Sequence, residues 1–304
     1  MSDMKITNEY QKDSDVTLFH GDVLDFIKQI PDQEAMLIIT SPPYNVGKEY
    51  EKKIPLEKYI ELQSKVIAEC VRILNNKGSI CWEVGNFVDN GEIFPLDIIL
   101  YNEFKKHGLK MRNRIVWHFE HGLHGSKRFS GRHESIMWFT KSDNYNFNLD
   151  TIRIPQKYPG KLHYKGKKKG QLSGNPLGKN PGDVWIMPNV KHNHVEKTIH
   201  PCQFPVGLID RLVKSMTNEN DLVFDPFIGV GTTAVAAVLN KRRVAGADII
   251  KKYLDVAHNR VIAANKGVLK FRSADKPIYS PTGNLSITKN PFINKKSKNL
   301  VTYA

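Results

Sequence analysis

Short apolar runs of strand character alternate with helical segments along most of this 304-residue chain, and that alternation restricts its fold more than any other feature. VTLF (16–19), AMLIIT (35–40), SICWEV (79–84), NRIVWHF (113–119) and SIMWFT (135–140) read as strands. Between them, Leu56, Ile60, Val66, Ile67, Cys70, Val71 and Leu74 fall at helical spacing over 56–75, and 92–106 is a second candidate helix. The pattern resumes late in the chain with a helix at 205–217, strand DLVFD (221–225), helix TTAVAAVLNKR (232–242), strand RVAGAD (243–248) and a helix at 251–265. Strands joined through helices pair in parallel, so the expected fold is α/β, a mostly parallel sheet with helices on both faces. No internal repeat is present.

Residues 151–200 break the alternation. Gly160, Gly166, Gly170, Gly174, Gly178 and Gly182 recur there with Pro155, Pro159, Pro176, Pro181 and Pro188, which opposes long helices and central strands. The expectation is an inserted, loop-rich module. It holds Arg153, Lys157, Lys161, Lys165, Lys167, Lys168, Lys169 and Lys179 with almost no acid, inside a chain of net charge +14. Such a surface suits a polyanion, with phosphates as the contacts. No apolar run reaches the roughly 20 residues of a membrane span, and MSDMKITNEYQKDSD lacks the pattern of a secretory leader, so a cytoplasmic protein without a membrane partner is expected. Cys70, Cys81 and Cys202 form no CxxC pair and are expected to be buried apolar residues. His118, His121 and His124, and separately His192 and His194, have no nearby acidic pair, so no metal site is expected.

Two segments carry chemistry. In DPFIGVGTTA (225–234) a strand ends at Asp225 and a helix begins at Thr232. Gly229, Gly231 and Ala234 between them fit the G-x-G-x-x-A spacing that lets a ligand approach the backbone at a helix N-terminus. Asp248, about twenty residues on, ends the next strand where a carboxylate accepts from ribose hydroxyls. Together these describe an adenosine site, serving a nicotinamide cofactor or S-adenosyl-L-methionine equally well.

The second segment, LIITSPPYNVGK (37–48), places Ser41-Pro42-Pro43-Tyr44 directly after a buried strand. Consecutive prolines fix φ and donate no N–H, so the Ser41 and Pro42 carbonyls become stiffly held acceptors. The Ser41 hydroxyl adds a third oxygen, and Tyr44 offers a face on which a planar base can stack. An amino group on a base is the ligand this set suits.

These residues make the chain resemble the amino-methyltransferases of DNA, the family acting on adenine N6 or cytosine N4, with signatures (D/N/S)-P-P-(Y/F/W) and F-x-G-x-G. Here they are Ser41-Pro42-Pro43-Tyr44 and Phe227-Ile228-Gly229-Val230-Gly231, in the motif order of the beta class. KTIHPCQFPVGLIDRL (197–212) resembles the family's cofactor-holding segment through Thr198, His200, Pro201, Gln203 and Pro205. HGD (20–22) resembles its N-terminal acidic segment, and SGRHESIMWF (130–139) a framework strand with Trp138 and Phe139 in the core.

The resemblance implies a circularly permuted, Rossmann-like methyltransferase fold with S-adenosyl-L-methionine as cofactor. Ser41, Pro42, Pro43 and Tyr44 would be catalytic. Asp22, Thr198, His200, Pro201, Gln203, Asp225, Pro226, Phe227, Gly229, Gly231, Thr232 and Asp248 would bind the cofactor. It divides the chain into a catalytic half (1–150), a target-recognition insert (151–196), a cofactor half (197–266) and a polar basic tail (267–304). Residue type marks Arg153, Gln156, Gln171, Asn175, Asn189 and Asn193 as candidate base readers. Double-stranded DNA is the implied substrate, its target base flipped out of the stack. A cognate restriction endonuclease and a homodimer are the implied partners. Serine at position 41 points to cytosine N4, with adenine N6 the alternative. A nicotinamide oxidoreductase would leave the SPPY segment and the lysine-rich insert unexplained, and a non-catalytic DNA-binding protein would leave the glycine loop so.

Overall fold

The run AMLIIT is apolar at every position but its last because it is covered from both sides: Leu37 and Ile39 pack into one core layer and Ile38 into the other. That is the burial expected of a central parallel strand. The computed structural model describes residues 4–48, 51–122 and 124–276. Among them the elements run β1 (Ile6–Thr7), β2 (Val16–His20), α1 (Val23–Phe26), β3 (Ala35–Thr40), α2 (Leu56–Ile73), β4 (Leu74–Val84), β5 (Asn86–Asp89), β6 (Glu92–Pro95), α3 (Leu96–Lys105), β7 (Lys110–His118) and β8 (His133–Thr140). They continue with β9 (Val184–Ile186), α4 (Val206–Met216), β10 (Leu222–Asp225), α5 (Thr232–Leu239), β11 (Arg243–Asp248) and α6 (Lys251–Asn265).

Nine strands form one sheet in the order β1-β2-β11-β10-β3-β4-β8-β7-β9, antiparallel only where β8 meets β4 and β7. Helices α4, α5 and α6 cover one face over a core of Leu37, Ile39, Val223 and Val244. On the other face α1, α2 and α3 pack over Ile38, Ile80, Trp82 and Phe224. The α/β expectation is met, and none of the described helices is long and apolar enough to cross a membrane.

Some expected elements differ. Residues 92–95 belong to a β5–β6 hairpin, so the helix expected from 92 starts at Leu96. The hairpin turns at Asn90-Gly91, both at positive φ, a pair suited to a two-residue connection. The insert is loop-rich through residue 183, with only the isolated bridges Ile154–Lys179 and Leu162–Leu172. Val184–Ile186 then joins the main sheet beside β7, and Trp185, Met187 and Val190 enter the core. Cys70 and Cys81 are buried but Cys202 is exposed, because its loop runs along the mouth of the site. The tail lysines Lys289, Lys295, Lys296 and Lys298 lie outside the described residues.

The strand order locates the site. From β3 the sheet continues to β4 on one side; from β10 it continues to β11 on the other. Open α/β sheets bind ligands at such a reversal, beyond the carboxyl ends of the strands. Ser41 follows β3 there, Asp225 ends β10 and Asp248 ends β11.

Candidate active site

The glycine loop is tied down from beneath. Asp225, fully buried, accepts from Thr40 Oγ1 at 2.7 Å, Thr233 Oγ1 at 2.5 Å and the Phe227 amide at 3.1 Å. One carboxyl thereby binds the end of β3, the loop and the start of α5, and burial pushes its pKa up to about 6. Gly229 and Gly231 sit at φ +50° and +75°, in the left-handed region that favours glycine. A Cβ on Gly231 would lie 2.6 Å from the Ala257 Cβ of α6, whereas one on Gly229 would meet only the His200 ring, at 3.7 Å. From α6, Arg260 donates to the Val230 carbonyl at 2.7 Å and to Thr232 Oγ1 at 3.2 Å, and burial lowers its pKa to about 10. Asp248 accepts the Gly229 amide on Oδ2 at 3.1 Å and the Ile250 amide on Oδ1 at 2.7 Å.

Above this loop lies a cleft of about 250 Å³. Asp22, His200, Gln203, Pro226, Phe227, Gly229, Thr232 and Asp248 line it, as do Ser41, Pro42, Pro43 and Tyr44. Of the residues the resemblance assigns to the cofactor, Thr198, Pro201, Asp225 and Gly231 stand apart from it. Thr198 Oγ1 donates to Gln203 Oε1 at 2.8 Å and so orients a lining residue. Pro201 faces a neighbouring cleft. Asp225 and Gly231 lie behind the loop, the one consumed by three hydrogen bonds and the other pressed against Ala257. His200 packs edge-on to Tyr253, with ring centroids 4.7 Å apart, and burial lowers its pKa to about 4, which leaves it neutral at pH 7.

The second cleft, about 620 Å³, adjoins the first at Ser41, Tyr44, Cys202, Gln203 and Phe204. Asn45, at φ +61°, shapes the chain after Tyr44: its amide donates to Glu51 Oε2 and its side chain bonds both polar backbone groups of Ile54. Tyr44 donates its hydroxyl to Glu83 Oε2 at 2.6 Å and lies 3.0 Å from Ser41 Oγ. Burial and the charges of Glu134 and Glu83 hold the phenol well above its ordinary pKa. Glu83 is raised by burial, and Glu134 is raised well above the usual carboxylate range by burial and by Glu83. Neither glutamate stood out at the level of sequence. The available signal was an acid inside each of two apolar strands, SICWEV and HESIMWF.

The insert's Lys157, Lys161, Lys165, Lys167, Lys168, Lys169 and Lys179 are exposed. Arg153 is not free to join them, because it binds Asp150 at 2.6 Å and the Gly178 carbonyl at 3.1 Å. Of the candidate base readers, Gln156 donates to the Asn175 carbonyl, and Asn189 donates to the His121 carbonyl at the edge of the second cleft.

A mostly parallel sheet reversing between β3 and β10, with one cleft over the glycine loop and a second over Ser41 and Tyr44, defines the Rossmann-like methyltransferase class of α/β proteins. Comparison with known proteins agrees. The profile of the DNA methylase family for N6 and N4 methylation matches residues 35–259, and the chain belongs to that family. M.BglII, a type II methyltransferase of Bacillus subtilis, is 52% identical over 242 residues, covering 79% of this chain and 67% of that protein. The DNA adenine methyltransferase YhdJ of Escherichia coli (strain K12) is 30% identical over 292 residues, covering 94% and 95%. The PvuII DNA methyltransferase (cytosine-N4-specific) shares the fold, with a TM-score of 0.65 and 17% identity over 86% of this chain and 94% of that one. Family membership removes the oxidoreductase alternative.

Proposed function

We propose that this protein transfers a methyl group from S-adenosyl-L-methionine to N4 of a cytosine flipped from a short site in double-stranded DNA. The observation carrying the reading is the meeting of the two clefts at Ser41 and Tyr44. A nucleoside in the first and a base in the second would touch at one point.

The first cleft fits the methyl donor. Each Asp248 oxygen takes one backbone amide and keeps a lone pair for a ribose hydroxyl. The bare Cα of Gly229 leaves room above the loop, and neutral His200 adds no positive charge against a sulfonium. Asp22, His200, Gln203, Phe227, Gly229, Thr232 and Asp248 would hold the donor. When bound, it supplies an electrophilic methyl whose bonding pair stays on sulfur as the amino nitrogen takes the carbon.

The protein's own contribution is positioning and electrostatics. Ser41 Oγ and the Pro42 carbonyl accept from the target amino group and favour a pyramidal nitrogen. Tyr44 borders both clefts and offers its ring to the flipped base, which offsets part of an unstacking cost of a few kcal/mol. The exposed lysines of 157–179 contact phosphates, and residues 151–196 form the recognition insert between the catalytic and cofactor halves. A type II setting is supported by the description of M.BglII as a type II methyltransferase, and the partner it would imply is an endonuclease cutting the same site.

Serine at position 41 supports cytosine; the adenine activity in the description of YhdJ supports the second reading, adenine N6. Incubation with plasmid DNA and S-adenosyl-L-methionine, then nucleoside mass spectrometry, separates them. N4-methylcytosine is the expected product. N6-methyladenine overturns the base assignment, and no methylated nucleoside on varied DNA overturns the function.

A further inference from the structure

Methylation of an amino group leaves a surplus proton on nitrogen, and the site holds a hydrogen-bonded path that leads away from Ser41. Tyr44 gives its hydroxyl hydrogen to Glu83 Oε2 at 2.6 Å. An ionised carboxylate only accepts, so the phenol oxygen is left as the acceptor in its 3.0 Å hydrogen bond with Ser41 Oγ. Ser41 therefore donates to Tyr44, and its oxygen lone pairs remain for the target amino group. The direction of the whole chain is set at Glu83.

Glu83 and Glu134 occupy one face of the sheet. Glu83 pairs with Ile136 across β4 and β8, and Glu134 lies two residues from Ile136, at the diagonal position. Gly85 leaves the space between Tyr44 and Glu134 open: a Cβ there would meet Tyr44 Cε2 at 3.0 Å and Glu134 Oε1 at 3.4 Å. Glu83 Oε1 is buried without a hydrogen-bond partner among the described residues. A bare carboxylate oxygen is costly there unless a proton lies beside it. Two carboxyls sharing one site retain a proton between them. Glu83 already accepts the Tyr44 hydroxyl on Oε2, so the shared proton is placed on Glu134, the member partly exposed at the second cleft, and Glu83 is left ionised. The other groups acting on the pair are Tyr44, Ser41, Cys202 and Lys191, the last opposing the rise at Glu134.

We infer that Ser41, Tyr44 and Glu83 form a proton relay that drains the target amino nitrogen during methyl transfer, with Glu134 holding Glu83 in its accepting form. The amino proton passes to Ser41 Oγ, the Ser41 proton to the Tyr44 oxygen, and the phenolic proton to Glu83 Oε2. Both hydroxyls are regenerated, the methylated base is neutral, and Glu83 ends protonated. The pair then holds two protons and returns one to water through Glu134, which is partly exposed at the second cleft. Glu83 acts through Tyr44 and Ser41 and is a positioning residue for the reaction.

The relay rests on the proposed function but on neither base in particular. Glu83→Gln keeps an oxygen for the Tyr44 hydroxyl and cannot take the proton. Single-turnover methyl transfer should fall roughly 100-fold or more, with the acidic limb of the pH–rate profile lost and S-adenosyl-L-methionine affinity retained. Tyr44→Phe cuts the same path, so the double variant should be no slower than the worse single variant. In free protein with 13C-labelled glutamate, the two carboxyls should titrate in separate, coupled steps, and Glu134→Gln should leave one. A Glu83→Gln rate within about 3-fold of the parent's at an unchanged pH profile, or two carboxyls titrating independently, overturns the relay and leaves the function standing. A parent enzyme that methylates no DNA overturns both.

Discussion

Replacing Gly231 by alanine tests whether the loop is shaped by packing against α6 as well as by its own backbone. At φ +75° a residue with a Cβ is strained by about 1–2 kcal/mol. The added carbon would also lie 2.6 Å from Ala257 Cβ and 3.1 Å from Ala257 Cα, and the latter, being backbone, moves only if α6 moves. Overpacking of this kind costs about 1–3 kcal/mol, so the total loss is roughly 2–5 kcal/mol and the melting temperature falls by about 5–15 °C. Gly91→Ala is the control: at φ +84° it carries the strain, but nothing lies within 4 Å of the new carbon. Urea unfolding of both variants beside the parent gives the comparison. If Gly231→Ala loses no more than Gly91→Ala, the close approach to α6 contributes nothing and the reasoning fails.

Asp225 has a folded pKa of about 6 against an ordinary 3.8, so its protonation favours folding. That contribution is complete below pH 3.8 and disappears as the pH rises through 6. Relative to Asp225→Asn, the parent should lose on the order of 3 kcal/mol between pH 3.5 and 7, read from denaturant midpoints at each pH. In Asp248→Asn an NH2 replaces one of two oxygens that each accept a backbone amide. The variant should lose about 1–3 kcal/mol of stability and at least tenfold in S-adenosyl-L-methionine affinity by calorimetry; unchanged affinity would remove Asp248 from the site. Changing Lys167, Lys168 and Lys169 together to alanine should lower the slope of log affinity against log salt by about 0.9 for each phosphate these lysines neutralise. Site preference should not change, and an altered preference would make these lysines base readers.

The central elements were legible because a fully buried strand writes its burial into every position, as AMLIIT does, and α2 writes its period into Ile60, Ile67 and Cys70. The two loops were legible for a different reason: their work is done by backbone, and only proline or glycine gives the backbone those properties. Glu83 and Glu134 were not legible as a pair, because nothing in the chain states that β8 lies beside β4 or in which register. Three-residue β9 is too short to show a period, and LNNKG at the start of β4 reads as a turn because only its Leu74 pairs with β3, at Ala35, before the register shifts and regular pairing resumes at Ser79. The Asn90-Gly91 pair was available and shows that a hairpin signal is strong even on a small edge element.

The strand order also bears on how this chain comes to be folded on the ribosome. β2 and β3 are neighbours in sequence, yet β11 and β10 separate them in the sheet, and those strands are synthesised some two hundred residues later. Until residue 248 has emerged, the nascent chain has two fragments of sheet with apolar edges facing an empty middle. Such a topology has high contact order and folds late. The interval is one in which chaperones and proteases would find the chain open, and a newly made copy acquires its Thr40–Asp225 clasp, with the site above it, only once the final third of the sequence is in place.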